Sequence, residues 1–342
     1  LKMKMPDSNI DDVETWLDFC VELKERLFEF AQKAEEIIER SNQRVAVEPF
    51  TEKNLIDALE RETTLAAVID DVKANKDNWI VSGVQRDPAN QLMKVTLMPL
   101  EVSRYFDSIL DKGSVSLFMS ATILSKDYLC KVAGLKPDTV KFIQVRDSDF
   151  PVRNRPIRLM NVAWLNARTM ADSLPKIAKA VDNIMAMHKD EKGIIHTTSY
   201  AQLQYIRDNI GKENASRLIE TGPAISREKV LERHYESKKP TVLISPSMHQ
   251  GVDLKDDFSR FQVIVKVPYP DLTDKKVSEM KNRDPKWYTW YTVLRLAQSY
   301  GRSVRSADDH ATTYILDESI TFLLKNAQDI VPKWFSEAIV SS

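Results

Sequence analysis

The sequence predicts an α/β protein whose parallel sheet is covered by helices on both faces and preceded by an α-helical hairpin. Three observations carry this prediction. From residue 157 onward, short apolar runs alternate with amphipathic stretches, the βαβ rhythm of a parallel sheet. The first seventy residues instead hold an apolar seam at helical spacing, and short β-rich runs lie between the two regions.

The elements follow in chain order. Ser8-Asn9-Ile10-Asp11 has the form of a capping box. Beyond it Trp16, Cys20, Leu23, Leu27, Phe30, Ala34 and Ile37 keep to one side of a long helix. Thr51 is a candidate N-cap for a second helix through Leu55, Leu59, Leu65, Ile69 and Val72, and Gln43 to Phe50 joins the two as a hairpin. Leu92–Met98 and Val115–Met119 read as strands flanking a helical stretch, Leu100–Leu110. Residues 146–156, with Pro151 and Pro156, read as a linker. Further strands are expected at Ile157–Ala163, Gly193–Thr197, Arg217–Glu220, Thr241–Ser245, Gln262–Val267 and Ala311–Leu316. Helices are expected at 168–188, 199–210, 226–236 and 285–300, with another from Ser319.

Composition narrows the function classes. Of 342 residues 43% are hydrophobic, enough for full-sized cores and too many for a disordered chain. Forty-nine basic and 50 acidic residues leave a net charge of −1, so a polyanion site has to be a local concentration of positive charge. Two cysteines, Cys20 and Cys130, exclude a disulfide framework, a four-cysteine zinc site and an iron–sulfur cluster held by this chain alone. No apolar run approaches the roughly 18 residues of a membrane span, and no signal-peptide pattern is present. The chain opens on Leu1, not Met, and reads as a piece of something longer.

Ligand chemistry in open parallel sheets gathers at the carboxyl ends of strands, so the residues after each strand are the first candidates. Ser120-Ala121-Thr122 follows Val115–Met119; its hydroxyls suit a neighbouring loop, a phosphate or a plain helix cap. Thr197-Thr198-Ser199-Tyr200 follows Gly193–His196, with hydroxyls and free N–H groups for a phosphodiester and Tyr200 for a base; an ordinary N-cap fits the same residues. Gly251 stands shortly before Asp253 in a loop where glycine admits close backbone approach and the carboxylate suits a ribose hydroxyl or an arginine. His249 reads as a loop donor in preference to a metal ligand, and no metal site is expected. The richest segment is Gln298-Ser299-Tyr300-Gly301-Arg302-Ser303-Val304-Arg305. If the helix from Trp287 continues, Gln298, Arg302 and Arg305 share one face, and two guanidiniums can clamp a polyphosphate. Ion pairs with Asp308 and Asp309 are the structural alternative. Lys275, Lys276, Lys281, Arg283 and Lys286 form a basic stretch suited to a DNA path or to a solvated face.

Taken in order, Ser120-Ala121-Thr122, the His196–Tyr200 strand exit, Gln250-Gly251-Val252-Asp253 and Gln298-x-x-Gly301-Arg302-x-x-Arg305 resemble motifs III, IV, V and VI of a superfamily 2 helicase. Phe150-Pro151, Asn154-Arg155, Pro268-Tyr269-Pro270, Asp308-Asp309 and Leu316-Asp317 resemble the XPD and DinG branch, over about residues 90–320. The resemblance implies an arch-like helical segment at 1–75, the end of motor domain 1 with motif III at 76–150, and a RecA-like motor domain 2 with motifs IV to VI at 151–342. It implies Arg302 and Arg305 as arginine fingers, Gln298 beside the nucleotide or its neighbouring arginine, and Gly251, Asp253 and Gly301 at the nucleotide cleft. Ser120, Ala121 and Thr122 would couple phosphate state to closure, and Thr197, Thr198, Ser199 and Tyr200 would hold single-stranded DNA.

Two departures qualify the match. Gln250 stands where the branch usually has glutamate, and no G-x-x-x-x-G-K-[ST] stretch or Asp-Glu-x-His box occurs in the 342 residues. The implied function is therefore the C-terminal part of an ATP-dependent 5′→3′ DNA helicase, inactive on its own. ATP and Mg²⁺ would be held mainly by an upstream half of the same helicase, which is also where the branch members that have an iron–sulfur cluster carry it. Single-stranded or forked DNA is the implied partner, no membrane is involved, and the implied location is the prokaryotic cytoplasm or nucleoid, or the nucleus of a eukaryote. The alternative is a catalytically inactive nucleic-acid- or protein-binding module of helicase ancestry, to which Gln250 leans.

Overall fold

The computed structural model describes residues 3, 5–6, 10–41, 49–88, 92–145, 147–222, 225–248 and 251–340. Ser8 and Asn9 of the expected capping box, most of the expected hairpin connection, His249 and Gln250 lie outside them. The chain forms two units. One comprises Leu1–Asp111, Val132–Gly134 and Asp271–Arg283; the other comprises Lys112–Lys131, Leu135–Pro270 and Asp284–Ser342.

The first unit opens with the helices α1 (Val13–Ser41) and α2 (Pro49–Ala74). Asp12 caps α1, its Oδ2 accepting from the Thr15 N–H at 3.2 Å. Thr51 lies inside α2 and not at its start, because Pro49, whose missing N–H costs nothing in a first turn, opens the helix. The α1 seam is narrower than its spacing predicts. Trp16, Leu27, Ala31 and Ala34 are buried, whereas Phe30 and Ile37 are exposed. A straight helix of 3.6 residues per turn drifts off a 3.5-residue repeat, which moves the contact from Phe30 to Ala31. Strands β1 (Trp79–Arg86) and β2 (Leu92–Pro99) form an antiparallel pair, and Val81 packs with Val13, Trp16 and Val72. Asp71 ties the helical hairpin to β1 and to the segment after β2, accepting from Trp79 Nε1 at 2.8 Å and Tyr105 Oη at 2.5 Å. The expected helix over Leu100–Leu110 reduces to a 3₁₀ turn and the short α3 (Asp107–Leu110). Helix α4 (Lys126–Ala133) comes next in the chain.

The second unit is a seven-stranded, all-parallel sheet. Its strands are β3 (Ile157–Ala163), β4 (Gly193–His196), β5 (Leu218–Glu220), β6 (Val242–Ser245), β7 (Phe261–Ile264), β8 (Thr312–Asp317) and β9 (Ile339–Val340). They lie in the order β5-β6-β4-β7-β8-β3-β9. Its helices are α5 (Met170–Met187), α6 (Tyr200–Asn209), α7 (Lys212–Ala215), α8 (Arg227–Glu236), α10 (Pro285–Tyr300), α11 (Ser319–Asn326) and α12 (Lys333–Ser336); α9 (Lys275–Arg283) belongs to the first unit. The period of two in each strand sorts the core. Val242, Ile244, Phe261 and Val263 pack on α5 and α6, whereas Ile264 and Ile315 face α10 and α11, and Leu243 faces α8. Central strands buried on both faces read as unbroken apolar runs, which is why the sequence located them. Gly193 admits the Phe261 ring: a Cβ built there would stand 2.5 Å from the nearest ring carbon.

Val115–Met119 is not a strand. The run has the right composition but no ladder partner among the described residues, and Val115, Leu117 and Met119 stand more than 80% exposed. Ile143 and Val145 are each 80% exposed as well. No helix is long and apolar enough to cross a membrane among the described residues.

Candidate functional site

Helix α10 runs back across the sheet, so its C-terminal end arrives at the amino ends of β7 and β8. Gln262, near the start of β7, fixes this arrival by donating to the Tyr300 carbonyl and to Thr313 Oγ1, both at 2.7 Å. Beside it opens a cavity of about 400 Å³, with Ser120, Ala121, Thr122, Gln298, Gly301, Arg302 and Arg305 among its walls. The site thus lies at the amino edge of these strands, opposite the carboxyl edge where the sequence directs attention.

The helix does not continue through the arginines. It ends at Tyr300, Gly301 caps it by donating to the Ala297 carbonyl at 3.1 Å, and the chain turns. Arg302 therefore meets Gln298 through a turn instead of helical spacing, its Nε donating to the Gln298 carbonyl at 2.6 Å and its Nη1 to the Val252 carbonyl at 3.2 Å. Arg305 reaches the same loop, pairing through Nε with Asp253 Oδ1 at 2.7 Å. That pair is exposed, at 37% and 64% for the two side chains, so solvent screens it and a stronger anion can displace it. Burial, then the neighbouring Arg305 and Arg227, draws the Arg302 guanidinium below its usual pKa. Arg302 and Arg305 beside Asp253, with Arg227 near Gly251 of the same loop, gather positive charge that favours a polyanion. Gly251 holds its loop at φ +64°, and a Cβ there would stand 3.3 Å from Arg227 Nη1.

Ser120 and Thr122 join this constellation. Gln298 Nε2 donates to Thr122 Oγ1 at 3.4 Å, and the Ser120 hydroxyl accepts from the Thr122 N–H at 3.2 Å. The short turn is a local hydroxyl–backbone motif and not the cap of a regular strand-to-helix exit.

The ion-pair alternative for the arginines resolves differently. Asp309 is buried and pairs with Arg260 Nη1 at 2.8 Å, while its other oxygen accepts from the backbone N–H groups of Arg305 and Asp256. It anchors the arginine loop without neutralising Arg302 or Arg305. Sequence reading gave it as a nearby acid and as part of the branch resemblance, but not as a buried anchor, because its burial is set by long-range packing.

At the opposite, carboxyl edge lie Thr197 to Tyr200. Ser199 is an N-cap, its Oγ accepting from the Gln202 N–H at 3.2 Å, and the Thr198 N–H and hydroxyl both donate to Gln202 Oε1. Those groups serve the helix. Thr197 Oγ1 is buried and has no hydrogen-bond partner among the described residues, and it lines a narrow crevice with Lys266 and Arg295. Sequence reading missed both cations, which come from β7's exit and the middle of α10. Tyr200 is exposed. Nearby, Asp317 is fully buried, with Oδ1 accepting from Leu165 and Ser319 and Oδ2 from Val267; burial raises its pKa despite these donors. No group of three or more His, Cys, Asp or Glu side chains is placed to hold a metal ion among the described residues.

Residues 182–338 match the family model described as a helicase C-terminal domain. That stretch, a little under half of the chain, is similar to the C-terminal domain of XPD/DinG-like helicases. The ATP-dependent DNA helicase DinG of Photobacterium profundum is 23% identical over 319 residues, covering 84% of this chain and 44% of the relative. The ATP-dependent DNA helicase CHL1 of Scheffersomyces stipitis is 21% identical over 282 residues, covering 68% and 32%. The chain thus spans less than half the length of these curated relatives. Among solved structures, an apo XPD superposes with a TM-score of 0.56 at 15% identity, covering 86% of this chain and 60% of that one. The structure of S. tokodaii Xpd4 gives 0.52 at 17% identity, with 92% and 70% covered. The likeness to these two structures shows the fold, a RecA-like parallel α/β domain.

Proposed function

We propose that this chain is the arginine-bearing, DNA-gripping part of an ATP-dependent DNA helicase or translocase that moves 5′→3′ on single-stranded DNA. The observation that carries the reading is the convergence of Thr122, Gln298, Arg302 and Arg305 on one cavity, with Arg305 held by a displaceable carboxylate. In this reading residues 1–75 are arch-like, 76–150 end motor domain 1, and 151–342 are motor domain 2. The unpaired apolar runs at 115–119 and 143–145 support it, since they are suited to a sheet supplied by an upstream lobe.

Arg302 and Arg305 then act as arginine fingers. On closure over ATP, Arg305 exchanges Asp253 for a phosphate oxygen, and both guanidiniums neutralise charge that develops during phosphoryl transfer. Gly251, Asp253 and Gly301 shape the nucleotide side of the cleft. Gln298, hydrogen-bonded to Thr122, transmits nucleotide state between the Ser120–Thr122 turn and the arginine loop. Mg²⁺ would belong to the upstream phosphate cradle. At the other edge Thr197, with Lys266 and Arg295 beside it, meets the DNA backbone, a contact that is independent of sequence.

Steady-state ATP turnover by the intact protein tests this. Arg302→Ala should lower DNA-stimulated turnover by roughly a thousandfold or more, the scale of an arginine finger, with DNA affinity unchanged within about twofold. Unchanged turnover would refute the finger assignment.

A further inference from the structure

Resting on that DNA reading, we propose that Trp164 and Phe322 form a base-stacking platform for single-stranded nucleic acid. Large aromatic rings are usually withdrawn from water, yet Trp164 is 43% and Phe322 58% exposed. They stand together, ring centroids 6.4 Å apart at an interplanar angle of 61°. An edge-to-face pair of this kind leaves ring faces open to a third aromatic surface.

The fold presents these rings on rigid supports. The register between β3 and β8 breaks between Leu159 and Ala163, and Asn161 adopts φ +45° there. An irregularity of this type re-aims the side chains beyond it. The Trp164 carbonyl accepts from Thr169 Oγ1 at 2.5 Å and Ser173 Oγ at 3.4 Å. A single Asp317 oxygen then ties both supports together, accepting from Leu165 N at 3.3 Å and Ser319 N at 3.0 Å. Leu165 directly follows Trp164, and Ser319 opens the helix that carries Phe322. The spacing of the rings is thus set by one buried carboxylate, so little conformational entropy is lost when a base arrives.

Charge and position favour nucleic acid as the occupant. Arg168 follows Trp164 on the same loop, and Lys325 lies one helical turn beyond Phe322; both are exposed, and neither forms a salt bridge among the described residues. Bases stacked on the rings would carry phosphates within reach of these cations. The platform also stands on the sheet edge that holds Thr197 and Tyr200. β3 and β4 are three strand spacings apart, roughly 14 Å, which a few nucleotides of single strand can span.

The test is fluorescence anisotropy of a labelled 20-nucleotide oligothymidine with the 342-residue chain, comparing wild type, Trp164→Tyr and the Trp164→Ala/Phe322→Ala double variant. Both side chains stand at the surface, Trp164 43% and Phe322 58% exposed, so circular dichroism should show the double variant folded. Its affinity should fall roughly 5- to 150-fold with the salt dependence unchanged, because stacking is lost and phosphate contacts are not. Trp164→Tyr should retain most of the affinity. Replacing internal nucleotides by abasic sites should weaken the wild type and leave the double variant indifferent. Oligothymidine binding by the double variant within twofold of wild type overturns the platform and leaves the DNA reading standing. A loss of self-association or protein binding with DNA affinity intact overturns it in favour of a protein interface. Absence of any DNA binding by the wild type removes the DNA reading itself, and the platform with it.

Discussion

Mild acid is expected to weaken the sheet-bearing unit through a single ring. His234 has no solvent exposure; its Nε2 lies 2.8 Å from the Phe258 carbonyl and its Nδ1 2.9 Å from Thr241 Oγ1. The carbonyl can only accept, so Nε2 carries the proton and Nδ1 receives the threonine hydroxyl, a neutral tautomer with both nitrogens satisfied. Burial pushes its pKa down to about 4, and the ordinary value is 6.5. Between those values the unfolded chain binds a proton that the folded chain refuses, so stability rises with pH and is lost as pH falls from 6.5 toward 4. The gap of about 2.5 units corresponds to roughly 3 kcal/mol once pH is below 4, and to about 1 kcal/mol between pH 7.5 and 5.5. Urea unfolding at those two pH values gives the measurement, with His234→Gln as the control that retains a donor toward Phe258 but cannot titrate. The variant's stability should fall about 1 kcal/mol less than the wild type's over the same interval. Parallel losses in the two proteins would refute the assignment of the pH sensitivity to this ring.

Three further outcomes are set by the geometry. Gly193→Ala places a methyl 2.5 Å from a carbon of the fully buried Phe261 ring, and should cost about 1–3 kcal/mol in urea unfolding. Asp309→Ala deprives the mostly buried Arg260 of its buried partner, leaving it the exposed Asp257, and frees the Arg305 backbone, so a loss of about 2–3 kcal/mol is expected in the same assay. Asp253→Asn, by contrast, breaks an exposed pair and should leave stability within about 0.5 kcal/mol, while the ATP concentration giving half-maximal turnover in the intact protein shifts measurably.

The parts of this molecule that were legible from sequence are those fixed by local pattern. Ile157–Ala163 emerges with the expected bounds, and the strands at 193, 218, 242, 261 and 312 differ from expectation by a residue or a few. Apolar runs buried on both faces, punctuated by Gly193, Thr241 and Ala311, need no tertiary knowledge to be seen. Val115–Met119 has the same texture and forms no ladder, because pairing depends on a second backbone that composition cannot reveal. In the candidate site, Gln298, Arg302 and Arg305 were found for a reason that proved incorrect in detail: the Gly301 turn gathers them, where helical periodicity was expected to. Asp309 and Asp317 are two acids among 50, and only long-range packing shows that they are buried organisers. Lys266 and Arg295 were likewise invisible as a pair, being 29 positions apart in sequence and adjacent only through the fold.

The outermost strand of the sheet has a practical corollary. β9 pairs with β3 through Ile157↔Ile339 and Arg158↔Val340, and Arg155 fastens the preceding turn through Glu337 at 2.5 Å. Clones terminated a few codons before Ile339 would bare a row of amide and carbonyl groups along β3, a template for sticking to neighbouring molecules. Expression boundaries should therefore run past Val340, and turbidity in shortened versions should be read first as a missing selvedge and only then as a defect elsewhere in the chain.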